Sequence, residues 1–443
     1  MQTIRSLICL MALGISLAYA TSASGRSLIR DSEIEQTLNR LSTPIFRAAG
    51  LAPQTVDLYI IHDRSLNAFV TGGRNIFLHT GLLIELDTPE ELLGVIAHEV
   101  GHITGGHEAR RAINLRNARG PALVGLLLGL AVGVAGGGEA GAAIAAGSQG
   151  VVERSLLKYN RAEEAAADQA GISYLTRAGI DPAGLLKVIE RFRGQEVLAI
   201  GNLDPYVLTH PLGTERYSLL ERRIAENRKA SYPLDAEQLY WYRRMQAKLS
   251  GFLDSPEWVL ERVENAEETE FTLLRKAVAL HRVPDTNGAL SAMDRLIAMR
   301  PNDPFYIELK GQILLESRRP EQALTEYRRA VALAPNEPLI KAGLGRTLLQ
   351  FGTKAANAEA LKILQDARND DLADAAVLRD LATAYERAGD TGMATLATAE
   401  RYALVGNVSS AVSLATRSAA MLPEGSPGWL RSQDILKLDT GRN

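Results

Sequence analysis

Cysteine is nearly missing from this chain: its one copy in 443 residues, Cys9, lies in an apolar stretch near the N-terminus. A disulfide framework is excluded, so stability must come from a packed core or a metal. Aromatic residues are sparse at 5%, while Ala and Leu fill much of the second half. That mix disfavours a β-rich fold and suits stacked helices. Charge of one sign is absent as well. The 49 Lys and Arg against 52 Asp and Glu leave a net charge of -3 and a pI near 6.2. No nucleic-acid partner is expected from such a balance. The apolar run Ala122–Ala135 stops after 14 residues, short of the roughly 20 that a membrane span needs. What remains, 46% apolar and 23% charged residues, is the composition of a folded soluble protein with room for two or three domains.

The first residues, MQTIRSLICLMALGISLAYATSASG, carry Arg5, an apolar run from Leu7 to about Leu17 and a small-x-small ending at Ala18-Tyr19-Ala20. This pattern predicts a signal peptide over 1–20, cleaved near Ala20, and hence a periplasmic protein; a retained anchor is the alternative. Cleavage removes Arg5 and Cys9, leaving 48 basic against 52 acidic residues.

Beyond it, Ile34, Leu38, Leu41 and Ile45 predict a helix over 27–49. The segments VDLYII (56–61), NAFVTG (67–72) and NIFLHTGLL (75–83) read as a small sheet or hairpin, with GGRN as a turn. Thr88-Pro89-Glu90-Glu91 predicts a helix start with Thr88 as N-cap and Glu91 closing a capping box, the helix running to about Ile113. Gly125, Gly129 and Gly133 recur every fourth residue in the Gly-rich stretch 121–150. A buried or partly exposed helical hairpin is expected there, with peripheral membrane contact as the alternative.

After about residue 230 a repeat sets in. Pro301 and Pro335 are 34 positions apart, with Gly311, Ala323, Tyr327 and Ala330 at the small and aromatic positions of a tetratricopeptide unit. Ala277, Ala289 and Met293 match in the unit before, Gly345 in the unit after, and Ala382, Tyr385, Gly389 and Ala394 in a further one. Small residues let the two helices of a hairpin touch, the aromatic fills the gap, and proline ends the second helix. The fold expected is therefore mainly α: an α+β domain over 21–229, an α-solenoid of repeats over 230–435 and a tail over 436–443. A non-repetitive helical bundle is the alternative.

The chemistry sits in AHEVGH, Ala97–His102. On a helix, His98 and His102 face the same way, so both imidazoles can reach one cation. With a third ligand, zinc keeps a position for water and lowers its pKa toward about 7; Glu99, one residue round, can take the proton. His107 is out of helical phase with the pair and reads as a surface residue or one supporting the ligands. Gly101 lowers helix stability by roughly 1 kcal/mol relative to Ala, and next to a ligand it can admit another backbone or a substrate. The third ligand is expected on YNRAEEAAADQAGISYLTRAG, where Glu164, Asp168, Ile172 and Leu175 form one stripe with an apolar far end. A carboxylate there is expensive to bury unless it is paired or bound. Glu164 is the expected ligand and Asp168 a partner that holds a ligand histidine or polarises the site; the alternative is an ordinary exposed acidic helix in which Glu163 is interchangeable with Glu164. His210, which precedes a proline, either belongs to the site or merely caps a turn.

The His98–His102 motif, EEAAAD some 60 residues on and then LTHPLGTER resemble the CAAX-prenyl-protease-type zinc endopeptidase family. The resemblance implies one zinc ion per chain on His98, His102 and Glu164, Glu99 as catalytic base and Asp168 as auxiliary acid. It implies His210 as transition-state stabiliser or as a latch on the fourth position, with Arg216 its companion. It further implies that Asn67, Ala68 and Phe69 lie on a strand whose edge pairs with extended substrate. Exported members with a repeat array imply envelope quality control: degradation of misfolded or stalled outer-membrane proteins, with the repeats docking on the β-barrel assembly machinery. A chaperone or scaffold whose repeats act, with zinc structural or the site latched, is the rival reading.

Overall fold

A computed structural model describes residues 28–110, 161–192, 210, 214–227, 236–372 and 374–440. The expected signal peptide, the helix end at 111–113 and the Gly-rich stretch 121–150 lie outside these residues. The chain forms two compact units, one of Met1–Ile29 and Leu38–Leu239, the other of Arg30–Thr37 and Tyr240–Asn443. The second therefore takes in a short stretch from near the N-terminus, where a boundary at 229/230 was expected. Among the described residues no helix is long and apolar enough to cross a membrane.

Leu28–Ile29 form β1, and α1 follows at Ser32–Ala48 with Ile34, Leu38, Leu41 and Ile45 buried. The helix begins at Ser32 and not at residue 27, because Leu28 and Ile29 pair antiparallel with Ile61 and Ile60 of β2 (Asp57–Ile61). β3 (Ala68–Thr71) and β4 (Asn75–His79) complete a sheet of order β1-β2-β4-β3, in which β2 runs parallel to β4 and β3 antiparallel to it. β3 is therefore an edge, joined to β4 by the expected turn at Gly72–Arg74. The third apolar segment is only half strand: from Thr80 to Glu85 it becomes α2. Periodicity cannot separate a buried strand from a buried short helix in such a run.

Helix α3 (Pro89–Thr104) starts at Thr88, whose hydroxyl accepts from Glu91 N. Glu91 does not return the bond to Thr88; its Oε2 accepts from Asp87 N at 3.2 Å instead. α3 ends at Thr104, short of Ile113. Gly106 has φ +62, a left-handed turn that a helix cannot pass through, and residues 107–110 form a separate helical turn. Every residue of α3 from Glu91 to His102 is buried, which makes it the central helix of its unit. It packs on α4 (Arg161–Ala178) and α5 (Ala183–Arg191), and α6 (Thr214–Asn227) packs on both of those. Glycine sets how near α3 and α4 approach: a Cβ at Gly101 would lie 2.7 Å from Ala167 O and 2.9 Å from Ala167 Cα. Gly101 admits the backbone of the helix that carries Glu164.

The second unit is a run of helical hairpins. α7 (Ala236–Leu253), α8 (Pro256–Glu264), α9 (Glu270–Arg282) and α10 (Thr286–Met299) lead into α11 (Pro304–Glu316), α12 (Pro320–Leu333) and α13 (Pro338–Leu348). α14 (Lys354–Asp370), α15 (Ala375–Ala388), α16 (Thr391–Leu404), α17 (Val408–Met421) and α18 (Pro427–Thr440) follow. The last helix thus runs past 436, into the expected tail, because its apolar pattern continues to Leu436 and Leu438. Pro301 and Pro335 stand two residues beyond the ends of α10 and α12. The Tyr327 ring lies between two glycines, 3.0 Å from a Cβ placed at Gly311 and 2.2 Å from one at Gly343. The repeat logic is visible in that contact: an aromatic in the space that missing side chains leave. Ala277, Ala289, Met293, Ala323, Ala330, Tyr385 and Ala394 are buried in register.

This unit also buries two cations, Arg244 and Lys248. Arg244 donates to Glu33 and Asp303 and lies 3.7 Å over the Tyr306 ring; Lys248 Nζ is 2.8 Å from Asp31 Oδ2 and 3.1 Å from Glu33 Oε2. Beside them burial, with Asp31, Glu33 and Glu316, pushes the Glu308 carboxyl up to about 7, against the pull of Lys248.

Two outcomes are expected. Gly101→Ala regains about 1 kcal/mol of helix propensity but forces the two backbones apart at about 1–3 kcal/mol. Urea unfolding should therefore show a lower midpoint. A folded-state pKa above the unfolded value means that Glu308 favours folding while protonated, a contribution lost as pH rises through about 7. Glu308→Gln should raise the melting temperature of the second unit at pH 8 and leave it near wild type at pH 5, as calorimetry at the two pH values would show.

Candidate active site and metal centre

One turn of α3 brings the His98 and His102 rings edge to face, with their Nε2 atoms 3.1 Å apart. Glu164 arrives from α4, its Oε2 at 3.4 Å from His98 Nε2 and its Oε1 at 3.3 Å from His102 Nε2. The His210 Nδ1 lies 3.3 Å from His98 Nε2 and 3.1 Å from Glu164 Oε1. The donor atoms of these four residues all lie within 4.8 Å of one another, and all four residues are buried. Ligands at about 2.0–2.1 Å around a tetrahedral ion stand about 3.3 Å from each other. The separations here match that edge, so the donor set fits such a cation in both chemistry and spacing.

The far sides of the rings are held too. His98 Nδ1 is 2.9 Å from Asp168 Oδ1, and His102 Nδ1 is 2.7 Å from His107 Nδ1. A proton on His98 Nδ1, facing the carboxylate, leaves the Nε2 lone pair directed at the cluster. Arg216 bridges the acids: its Nε and Nη2 each donate to Asp168 at 2.8 Å, and its Nη1 is 2.6 Å from Glu164 Oε2.

Charge is the second test of fit. Glu99, Glu164 and Asp168 are buried carboxylates, and Arg216 is the guanidinium among them. If the imidazoles are neutral and the three carboxylates ionised, as metal binding requires of its ligands, the described groups carry an excess of negative charge that a divalent cation would offset. Ionisation follows the same lines. Burial opposes the charged Glu164 and Asp168, yet Arg216 with His210 and His102 holds Glu164 well below the carboxylate range, and Arg216 with His98 holds Asp168 down at about 2. Burial lowers His98, but Asp168 and Glu164 lift it to about 10, so the pocket draws positive charge onto that ring. His102 goes the other way, pushed well down by burial. Burial and Glu164 raise the Glu99 carboxyl, against His210, His98 and Arg216. Neither Glu99 oxygen has a hydrogen-bond donor among the described residues, and its Oε1 is 3.4 Å from His210 Nε2.

The expected residues thus meet: His98, Glu99, His102, Glu164, Asp168 and His210 form one buried cluster, with the partly buried Arg216 against it. Glu163 does not displace Glu164 in it. Ala68 reaches the cluster through its carbonyl, 3.2 Å from His210 Nε2. Phe69 stacks on Phe77 with its ring centroid 5.2 Å away, and Asn67 is buried beside the start of β3. Of the two readings of His107, the structure has the one that supports a ligand: it is buried beside His102, brought there as Gly106 turns the chain back. Of LTHPLGTER, only His210 and 214–216 are described.

Residues 29–224 match the family model of peptidase family M48. The chain is 25% identical over 423 residues to the Beta-barrel assembly-enhancing protease of Yersinia pestis, covering 94% of this chain and 85% of that one. It is 25% identical over 407 residues to the protein of the same name from Escherichia coli (strain K12), covering 90% and 81%. Metalloprotease LoiP of Escherichia coli (strain K12) is 25% identical over 197 residues, 44% of this chain and 72% of that protein.

Replacing Asp168 by Asn keeps the shape and removes the charge behind His98. Metal affinity, read by competition with a chromogenic chelator, is expected to fall by about 10- to 100-fold. Unchanged affinity would show that Asp168 does not support the ligand.

Proposed function

We propose, from the peptidase M48 domain in residues 29–224, that this metalloprotease is an exported, zinc-dependent endopeptidase of the cell envelope. Misfolded or stalled outer-membrane proteins are its proposed substrates. The repeat unit presents such clients or docks on the β-barrel assembly machinery. The names of relatives that align with 81–85% of their length support the envelope role. The observation that carries the catalytic part is the convergence of four buried donors beside an unbonded carboxylate.

His98, His102 and Glu164 would hold the zinc ion. When bound, it supplies Lewis acidity and makes a water more acidic at neutral pH. Glu99 takes the proton from the attacking water and returns it to the leaving amine; with no hydrogen-bond donor to it among the described residues, both oxygens are available for that transfer. Arg216 favours the ionised Glu164 and Asp168, and Asp168, 2.9 Å from His98 Nδ1, would favour the tautomer protonated there. An extended polypeptide would add to the edge of β3, where Ala68 faces His210.

One observation favours a latched state. His210 Nδ1 stands among the donors at the spacing of a fourth ligand, 3.1–3.3 Å from Glu164 and His98. A site closed this way suits the rival reading, a chaperone or scaffold in which the repeats act, and also suits an enzyme that opens when a client engages.

Glu99→Gln, compared with wild type at equal zinc content on an unfolded protein, should lower kcat by about 10²- to 10⁴-fold. Unchanged cleavage would remove Glu99 from the mechanism. A Glu99→Gln strain that still rescues envelope assembly would favour the scaffold reading.

A further inference from the structure

We propose that Glu108 is a positioning residue for the substrate edge: its carboxylate clamps the turn after β3 to the chain that leaves the metal-binding helix. The inference rests on the peptidase reading above and deepens it. Glu108 lies just past α3, 36 positions from Gly72, and no periodic pattern marks it.

The contacts are direct. Glu108 Oε1 accepts from Gly72 N at 2.8 Å and from the Thr71 hydroxyl at 3.1 Å, and its Oε2 accepts from Gly73 N at 2.8 Å. Gly72 and Gly73 have φ of +67 and +93, values that L side chains rarely adopt. Successive amides in such a turn point to one side and make a small anion-binding concavity, which the carboxylate fills. Hydrogen bonds to an ionised acceptor are stronger than neutral ones, and two of them to adjacent amides fix the orientation of the turn.

Glu108 itself is placed by the three residues before it. Gly106, at φ +62, turns the chain out of α3. The His107 ring then folds over Gly105 so closely that a Cβ there would lie 2.4 Å from His107 Nε2. In that position His107 Nδ1 meets His102 Nδ1 at 2.7 Å. Two consecutive side chains therefore grip the two halves of the site, His107 a ring of the metal centre and Glu108 the hairpin.

β3 is held at both ends as a result. Ala68 O faces His210 Nε2 at 3.2 Å, and Thr71 and Gly72 are bound by Glu108. The strand so held is four residues long, Ala68–Thr71, spanning about 10 Å. A short edge strand frays readily, and a substrate that pairs with a frayed edge must order it first. An edge fixed beforehand binds extended chain with less ordering entropy lost. The clamp therefore acts on substrate binding and not on proton transfer.

The test uses the full chain with zinc bound, as wild type, Glu108→Ala and Glu108→Gln. Hydrogen–deuterium exchange over residues 68–76 reads the clamp, and kcat and KM on an unfolded polypeptide read its consequence. In Glu108→Ala, the Gly72 and Gly73 amides should exchange faster and KM should rise by about 3- to 10-fold, with kcat within about twofold. Zinc content should stay unchanged. Glu108→Gln, which keeps one acceptor, should fall between the two. A cleaving wild type whose Glu108→Ala variant keeps the parental exchange and KM overturns the proposal alone. A fall in kcat at constant KM also overturns it. A zinc-loaded wild type inert on every unfolded substrate overturns the peptidase reading and the proposal with it.

Discussion

The convergence of buried imidazoles and carboxylates on one point is the constraint around which the first unit is built. Three carboxylates, Glu99, Glu164 and Asp168, meet the single guanidinium of Arg216 in a pocket lined by His98, His102 and His210. Taking such charges out of water is strongly unfavourable unless each finds a partner. Against the pull of burial, Asp168 behind the ring and Glu164 in front of it raise His98 to about 10, so the acids of the pocket favour positive charge beside them. A divalent ion there answers both the charge and the spacing.

The rest of the unit makes that convergence sterically possible. Glu164 reaches the two histidines only because α4 lies against α3 closely enough for Ala167 to touch Gly101. Close packing and electrostatics are then coupled. Widening that contact would lengthen the distances on which the donor set depends, and the carboxylates would lose their partners together. The second unit solves a different problem with the same means. Its repeats bury small residues with a larger side chain in the gap, Tyr327 at Gly311 and Gly343 and Leu364 at Gly345, and where it buries Arg244 and Lys248 it places Asp31, Glu33 and Asp303 against them.

What is periodic in this molecule is legible in the sequence. His98 and His102, then Glu164 and Asp168, stand one helical turn apart, so their sharing of a face follows from spacing. The repeats show themselves through Pro301 and Pro335 and the small positions between them. What depends on contacts across a loop is not legible in that way. His210 and Arg216 meet the acids of α4 from 46 and 48 positions away; only the family resemblance brought them to the site. For His107 the spacing left a surface place and a ligand-supporting one open, and the backbone torsion at Gly106, which changes the helical phase after Thr104, decides for the second. β1 is too short, at two residues, to leave a pattern, and α2 continues an apolar run that reads equally well as strand.

X-ray absorption at the zinc edge of the purified chain, with metal content measured on the same sample, tests the account most directly. The account predicts one zinc per chain in a shell of nitrogen and oxygen at about 2.0–2.1 Å, with no sulfur. A chain that folds and cleaves without metal, or one whose zinc is lost by none of His98, His102 and Glu164 being replaced, would contradict it.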